Sequence, residues 1–269
     1  MSDSKQSMTQ RYLDTLGIPS PELTLAFLKR LQGRHISQFS FNSLSVVLGQ
    51  ELPLDIPSLF EKIVVKGRGG YCFEHNKLIY SQLEALGFDV RLVLARVTYN
   101  REVDSPRTHR ITLVTLDGQQ YVVDGGFGHL GARQPVSLDL GAEQKQGDEC
   151  FRIVKNTEGL YLYQTFKDGD FFTLYTFDLN HYTEADCLVG HFYSHRHPDA
   201  AFVNNLVVCR KHGNSIHSLR NSEFHSVEDG VTRITQLIDS QALHEKLTET
   251  FQLDIDTAVS EFLFSKFGT

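Results

Sequence analysis

No two cysteines in this chain sit at a C-x-x-C spacing, and none matches a zinc-finger pattern. Cys72, Cys150, Cys187 and Cys209 stand far apart, which excludes the small domains stapled by metal or disulfide. No apolar run approaches the roughly 20 residues of a membrane span. Met1 to Gln10 is polar and lacks the charged-then-apolar order of a secretory signal. Positive charge is in deficit. Lys and Arg number 26 against 33 Asp and Glu, a net charge of −7, which argues against a nucleic-acid partner. Repeats and low-complexity tracts are also missing. The expectation is a cytoplasmic protein with no bound metal, no membrane contact and free thiols in a reducing compartment.

What the chain does have is size. Its 269 residues suffice for two or three small domains, and a chain this long buries roughly 75% of its unfolded surface. Hydrophobic content of 41% and charged content of 22% are those of an ordinary globular protein.

Cys72 lies in Arg68-Gly69-Gly70-Tyr71-Cys72-Phe73-Glu74-His75-Asn76, where a glycine-rich turn becomes an amphipathic helix. His75, Leu78, Ile79, Leu83 and Leu86 keep three-and-four spacing, and Gly87 ends the pattern. A thiol in a first helical turn faces unpaired N–H groups and the positive end of the macrodipole, so the sequence predicts a favoured thiolate. The competing reading is a buried core cysteine that happens to start a helix.

Thr108-His109 through Leu116 and Gln119 through Asp124 are β-rich runs around Asp117-Gly118, a strong hairpin signal. With a two-residue loop, Leu116 pairs with Gln119 and His109 with Gly126. Asp124 then shares the face of His109 and lies diagonal to it, about 7–8 Å away at the backbone. Its carboxylate can hold one imidazole nitrogen and leave the other for a thiol. Cys, His and Asp together fit the nucleophile, base and orienter of covalent catalysis.

These three segments, the last continuing as Asp124-Gly125-Gly126-Phe127-Gly128, resemble the arylamine N-acetyltransferase family in order and spacing. The likeness extends to Ala201-Phe202-Val203-Asn204-Asn205 late in the chain. It implies an α+β, three-domain, papain-like fold: a helical bundle over 1–88 carrying the cysteine, a central β-barrel over 89–190 carrying His and Asp, and an α/β lid over 191–269. By matching position Cys72 is the nucleophile, His109 the base and Asp124 the orienter. The implied reaction is ping-pong acetyl transfer from acetyl-CoA, a substrate rather than a resident cofactor, to an arylamine, arylhydrazine or arylhydroxylamine. The implied pocket wall is Phe41, Val97, Thr108, Gly126 and Phe127, with Phe202 against the coenzyme or in the core. A monomer or homodimer is expected.

Two departures stand out. Family members carry Pro-Phe-Glu-Asn upstream, where this chain has Ser40-Phe41-Asn42-Ser43. Asn42 thus replaces the Glu expected to pair with Arg68. Gly125 stands where many members have Val or Ala, which predicts a looser turn.

Other readings stay open on the residues alone. A papain-like peptidase or amidase uses the same triad, although the papain cysteine signature is missing. A macrocyclising amide synthase and a binding module with a vestigial triad are the others. A polyphosphate substrate would need a local basic patch. Arg101, Arg107 and Arg110 are candidates, as are Arg210, Lys211 and Arg220. His191, His195 and His197 cluster without recognised ligand spacing. Gly67-x-Gly69-Gly70 lacks the Lys-Ser/Thr of a phosphate loop and reads as shaping the approach to Cys72.

For secondary structure, the pattern predicts helices over 8–16, 22–31, 56–65, 240–251 and 257–267. It predicts strands over 90–97, 151–155, 160–166, 171–177, 206–210 and 230–236.

Overall fold

A computed structural model describes residues 2–101 and 104–268. The first 88 residues are mainly helical. Helices span Ser2–Thr15 and Leu25–Gln38, the second started by Thr24, whose hydroxyl accepts the Phe27 N–H at 3.1 Å. Asp55 caps Ile56–Phe60 in the same way, and the predicted 56–65 helix widens into a π-turn over Glu61–Val65. Cys72–Ala85 follows.

The β-rich middle forms an antiparallel eight-stranded sheet. Its order in space is Val136–Ser137, Gln119–Val123, His109–Leu116, Asp89–Val97, Asp170–Phe177, Tyr161–Lys167, Glu149–Lys155 and Gln144–Gln146. The two edges meet through side chains. Gln144 accepts from Ser137 N at 2.7 Å and donates to Ser137 O at 3.0 Å. Gln146 does the same for Gln134 at 2.8 and 3.0 Å. These amides make the sheet barrel-like without a continuous backbone ladder.

Asp117 and Gly118 take φ of 51° and 76°, a type I′ corner, so Leu116 pairs with Gln119 as the sequence predicts. The ladder ends at Thr112 and Val123, short of His109 and Gly126; His109 pairs instead with Ala95 on its other side. Period-two alternation then sorts the strand. Ile111, Leu113 and Val122 face the barrel core with Phe151, Tyr163 and Leu174. His109 and Asp124 share that face. Val114 and Val123 point the other way and pack on Leu78, Ile79 and Leu83 of the Cys72 helix. The Cys72-bearing helix and the His109-bearing strand are thus two sides of one buried seam.

A second antiparallel sheet takes Phe41–Asn42 as an edge, followed by Val207–His212, Ser215–Arg220, Glu223–Glu228 and Val231–Gln236. Phe41 lies opposite Cys209 and bridges Gly70, so an N-terminal strand ties the cysteine loop to the C-terminal sheet. Helix Glu184–Arg196 links the sheets, and Thr257–Phe267 packs on the second. Among the described residues no helix is long and apolar enough to cross a membrane.

Several expectations need correcting. Arg110 is fully buried on Glu184 at 2.9 Å, and Lys211 fully buried on Glu149 at 2.6 Å, so neither joins a surface basic patch. Arg107 is paired with Asp178 at 2.6 Å. Gly69, at φ 60°, admits a close backbone neighbour, as a glycine there allows, rather than opening an approach to Cys72. A Cβ there would come 1.9 Å from Ser40 O, so the loop is pressed against the Phe41 strand. Gly125 is not a loose turn either: a Cβ would come 2.3 Å from Ile79 Cδ1 and 3.2 Å from His35.

Candidate active site

Cys72 opens its helix behind a charged brace. Glu74, in the first turn, accepts the Tyr71 N–H at 3.1 Å and pairs with Lys62 at 2.6 Å. That places a carboxylate at the positive helix end and fixes where the helix begins. Asn42 holds the preceding loop by donating to the Arg68 carbonyl at 2.9 Å, while its own oxygen takes the Leu44 N–H. The loop is therefore tied by its backbone, with no carboxylate partner from this position for the Arg68 guanidinium.

The Cys72 sulfur is 3.5 Å from the carbonyl of Thr108, the residue before His109. Gly126 lies against the same helix start. A Cβ on it would come 3.0 Å from Cys72 Cα and 3.1 Å from Asn76 Nδ2. His109 Nε2 donates to Asp124 Oδ2 at 2.7 Å, which leaves Nδ1 as the ring nitrogen the carboxylate does not engage. Cys72, His109 and Asp124 are 4%, 2% and 3% exposed, so water does not screen them.

Asp124 is fully spoken for. Its second oxygen accepts from Asn76 Nδ2 at 2.8 Å and Gly126 N at 3.1 Å. Gln32, from the Leu25–Gln38 helix, clasps its backbone with 3.3 and 3.2 Å bonds to its N–H and carbonyl. Burial alone would raise the carboxyl. The His109 charge and the donors from His109, Asn76 and Gly126 outweigh it and hold Asp124 below its ordinary value. Asn76 also donates to Arg110 O at 2.5 Å and accepts Gly125 N at 2.9 Å, which joins the helix to both strands.

The predicted thiolate needs revision. The N–H groups of Phe73 and Cys72 do favour a negative sulfur, as the helix position implies. Burial, assisted by the charge of Asp124, is stronger and pushes the thiol up. An isolated thiolate is thus disfavoured, and the sulfur can carry charge only as half of an ion pair with a protonated neighbour.

Aromatic rings frame the imidazole. Phe127 meets it edge-on at 5.2 Å and Tyr175 at 5.0 Å. Burial, then the Asp124 charge, raises the Tyr175 phenol well above its ordinary value. Phe41 packs on Phe202 at 5.8 Å, and Phe202 on Tyr71 at 5.6 Å. Val97 ends its strand opposite Tyr175. Of the predicted wall, Thr108 and Gly126 thus lie against Cys72 and Phe127 against His109, Phe41 and Phe202 share the apolar cluster that includes Cys72, and Val97 is placed only opposite Tyr175.

Sequence reasoning missed Asn76, Gln32 and Tyr175. Asn76 was visible four residues after Cys72, on the same helix face; Gln32 and Tyr175 arrive from distant elements with no local signal. The histidine cluster is structural here. His191 bonds the Tyr71 hydroxyl and, at 3.0 Å, Leu52 O. Among the described residues no group of three or more His, Cys, Asp or Glu could hold a metal ion.

Residues 24–260 match a family model described as N-acetyltransferase, which makes the protein an acyltransferase. An arylamine N-acetyltransferase of Escherichia coli is 33% identical over 239 residues, covering 87% of this chain and 84% of that one. An arylamine N-acetyltransferase / N-hydroxyarylamine O-acetyltransferase of Salmonella typhimurium is 30% identical over 92% of this chain and 88% of its own. The solved arylamine N-acetyltransferase of Mycobacterium marinum in complex with CoA superposes with a TM-score of 0.90 at 27% identity, over 97% of this chain and 99% of that one. The chain belongs to the arylamine N-acetyltransferase family.

Proposed function

We propose that the protein moves an acetyl group from acetyl-CoA to the nitrogen of an arylamine, arylhydrazine or arylhydroxylamine through an acetyl-cysteine at Cys72. The observation that carries this reading is a helix-start thiol 3.5 Å from the Thr108 carbonyl and packed on Gly126, with the next residue in the chain, His109, held by Asp124 at 2.7 Å.

His109 Nδ1 takes the thiol proton as the sulfur attacks the thioester carbon. The imidazolium so formed stands beside Asp124, which offsets the burial penalty on the thiolate. The carbonyl oxygen becomes an oxyanion, and the Cys72 and Phe73 N–H groups at the helix start are suited to receive it. Collapse breaks the carbon–sulfur bond to the coenzyme, which leaves as a thiol with the proton from His109. In the second half the acceptor nitrogen attacks the acetyl carbon. His109 removes the nitrogen's proton and returns it to Cys72. Asp124 keeps the useful tautomer throughout.

Phe127, edge-on to His109, is the surface for a flat acceptor ring, with Val97, Thr108, Gly126 and Phe41 completing the wall. Phe202, which packs on Phe41 and Tyr71, is the residue assigned to the coenzyme. The CoA complex of the M. marinum relative supports the donor assignment.

The test is mass spectrometry after mixing with acetyl-CoA alone. A gain of one acetyl, mapped to Cys72 and discharged by an aromatic amine, is the expected result. No adduct, together with cleavage of peptide amides, would point to the papain-like alternative.

A further inference from the structure

Tyr99 occupies a corner that suits it badly. Tyr99 and Asn100 take φ of 46° and 58°, and Arg101 N closes on Thr98 O at 3.1 Å. Two consecutive left-handed residues make a type I′ turn, whose first position favours Asn, Asp or Gly. A bulky side chain held there is strained. The turn cannot relax, because three backbone bonds pin it to strand Asp170–Phe177. Thr98 N and Tyr99 N reach Leu174 O at 3.0 and 3.2 Å, and Asn100 N reaches Thr173 O at 2.8 Å.

Packing does not explain the tyrosine, since the residue is 42% exposed. Its ring lies 5.8 Å from Phe127, tilted by 50°, and 6.3 Å from Phe172. Phe127 in turn meets His109. The rings therefore step outward from the imidazole to Phe127 and then to a partly open face of Tyr99.

We propose that Tyr99 is a specificity-determining residue of the acceptor site, selecting aromatic amines with two rings over those with one; this rests on the acyl-transfer reading above. A first ring beside His109 is covered by Phe127. A second ring, extending outward, meets Tyr99 at the 4.5–7 Å separation of aromatic pairs. A one-ring acceptor never reaches it.

The test compares aniline with 4-aminobiphenyl as acceptors for the wild type and for Tyr99→Asn, Tyr99→Leu and Tyr99→Phe. Asn fits the left-handed corner without a ring, so it removes the contact while easing the backbone. The two-ring preference in kcat/KM should fall at least threefold in the Asn and Leu variants, mainly through KM, and stay within about twofold in the Phe variant. That is the effect of one aromatic pair. If the Asn variant folds poorly, the Leu variant carries the comparison. An unchanged ratio in these variants, or equal loss for both acceptors, overturns the proposal. Separately, wild-type protein that releases no coenzyme A from acetyl-CoA in the absence of acceptor overturns the acyl-transfer reading itself.

Discussion

Asn76 donates to Asp124 at 2.8 Å through the oxygen that His109 does not use. One helix therefore carries both the thiol and, four residues later, the group that orients the acid. Asn76→Ala removes that donor and orphans the Gly125 N–H and the Arg110 carbonyl. A lost buried hydrogen bond costs about 1–3 kcal/mol. Expressed in the transition state, this slows acetylation roughly 10- to 100-fold. Stopped-flow release of coenzyme A in a single turnover measures it.

Acid should destabilise the fold through buried histidines. Tyr12 donates to His35 at 2.8 Å, His35 lies 2.7 Å from His75 Nδ1, and His75 faces Ser40 O at 3.3 Å. Burial lowers His75 from 6.5 to about 4 and holds His35 well below its ordinary value, the His75 charge adding to the latter. Both are neutral when folded, whereas the unfolded chain takes up protons below about pH 6.5. Stability is thus complete above pH 6.5 and falls progressively toward pH 4, by about 3 kcal/mol from His75 alone. Urea midpoints across this range check it. His75→Leu should flatten the slope.

Gly125→Ala should cost about 1–3 kcal/mol, because its Cβ would overlap Ile79 Cδ1 at 2.3 Å. Ile79→Val deletes that methyl, so the double variant should recover part of the lost thermal stability. Calorimetry on the three variants decides; additive losses would contradict the packing account.

Lys62→Met should be more damaging than an exposed charge deletion. It strands Glu74, 1% exposed, at the start of the Cys72 helix. Breaking a buried pair costs about 3–5 kcal/mol. Lys62→Met with Glu74→Gln should restore much of it, read as the denaturation midpoint.

Much of this was legible in the sequence for local reasons. The Asp117-Gly118 corner fixed the hairpin register, and parity alone put Asp124 on the face of His109. The glycine turn and apolar spacing located the Cys72 helix, whose last turn ends at Ala85, one residue before the predicted Leu86. Long-range pairing was not legible. The two-residue strand Phe41–Asn42 gives no periodic signal, and strands Ser215–Arg220 and Glu223–Glu228 are too polar to stand out. Nor does a sequence report desolvation. The same first-turn position that favours a thiolate is sealed by Gly126 and the Thr108 carbonyl, and at Cys72 burial outweighs the helix start. Arg110 and Lys211 misled in the same way, since an arginine or lysine in a string looks solvated until its carboxylate partner is placed beside it.

The most direct measurement is the rate of Cys72 alkylation by iodoacetamide against pH, in the wild type, Asp124→Asn and His109→Asn. If sulfur and imidazole share a proton under the control of Asp124, the wild type reacts rapidly well below pH 7 and both variants lose that acidic limb. Wild-type reactivity that rises only at alkaline pH, and identically in all three proteins, would contradict it.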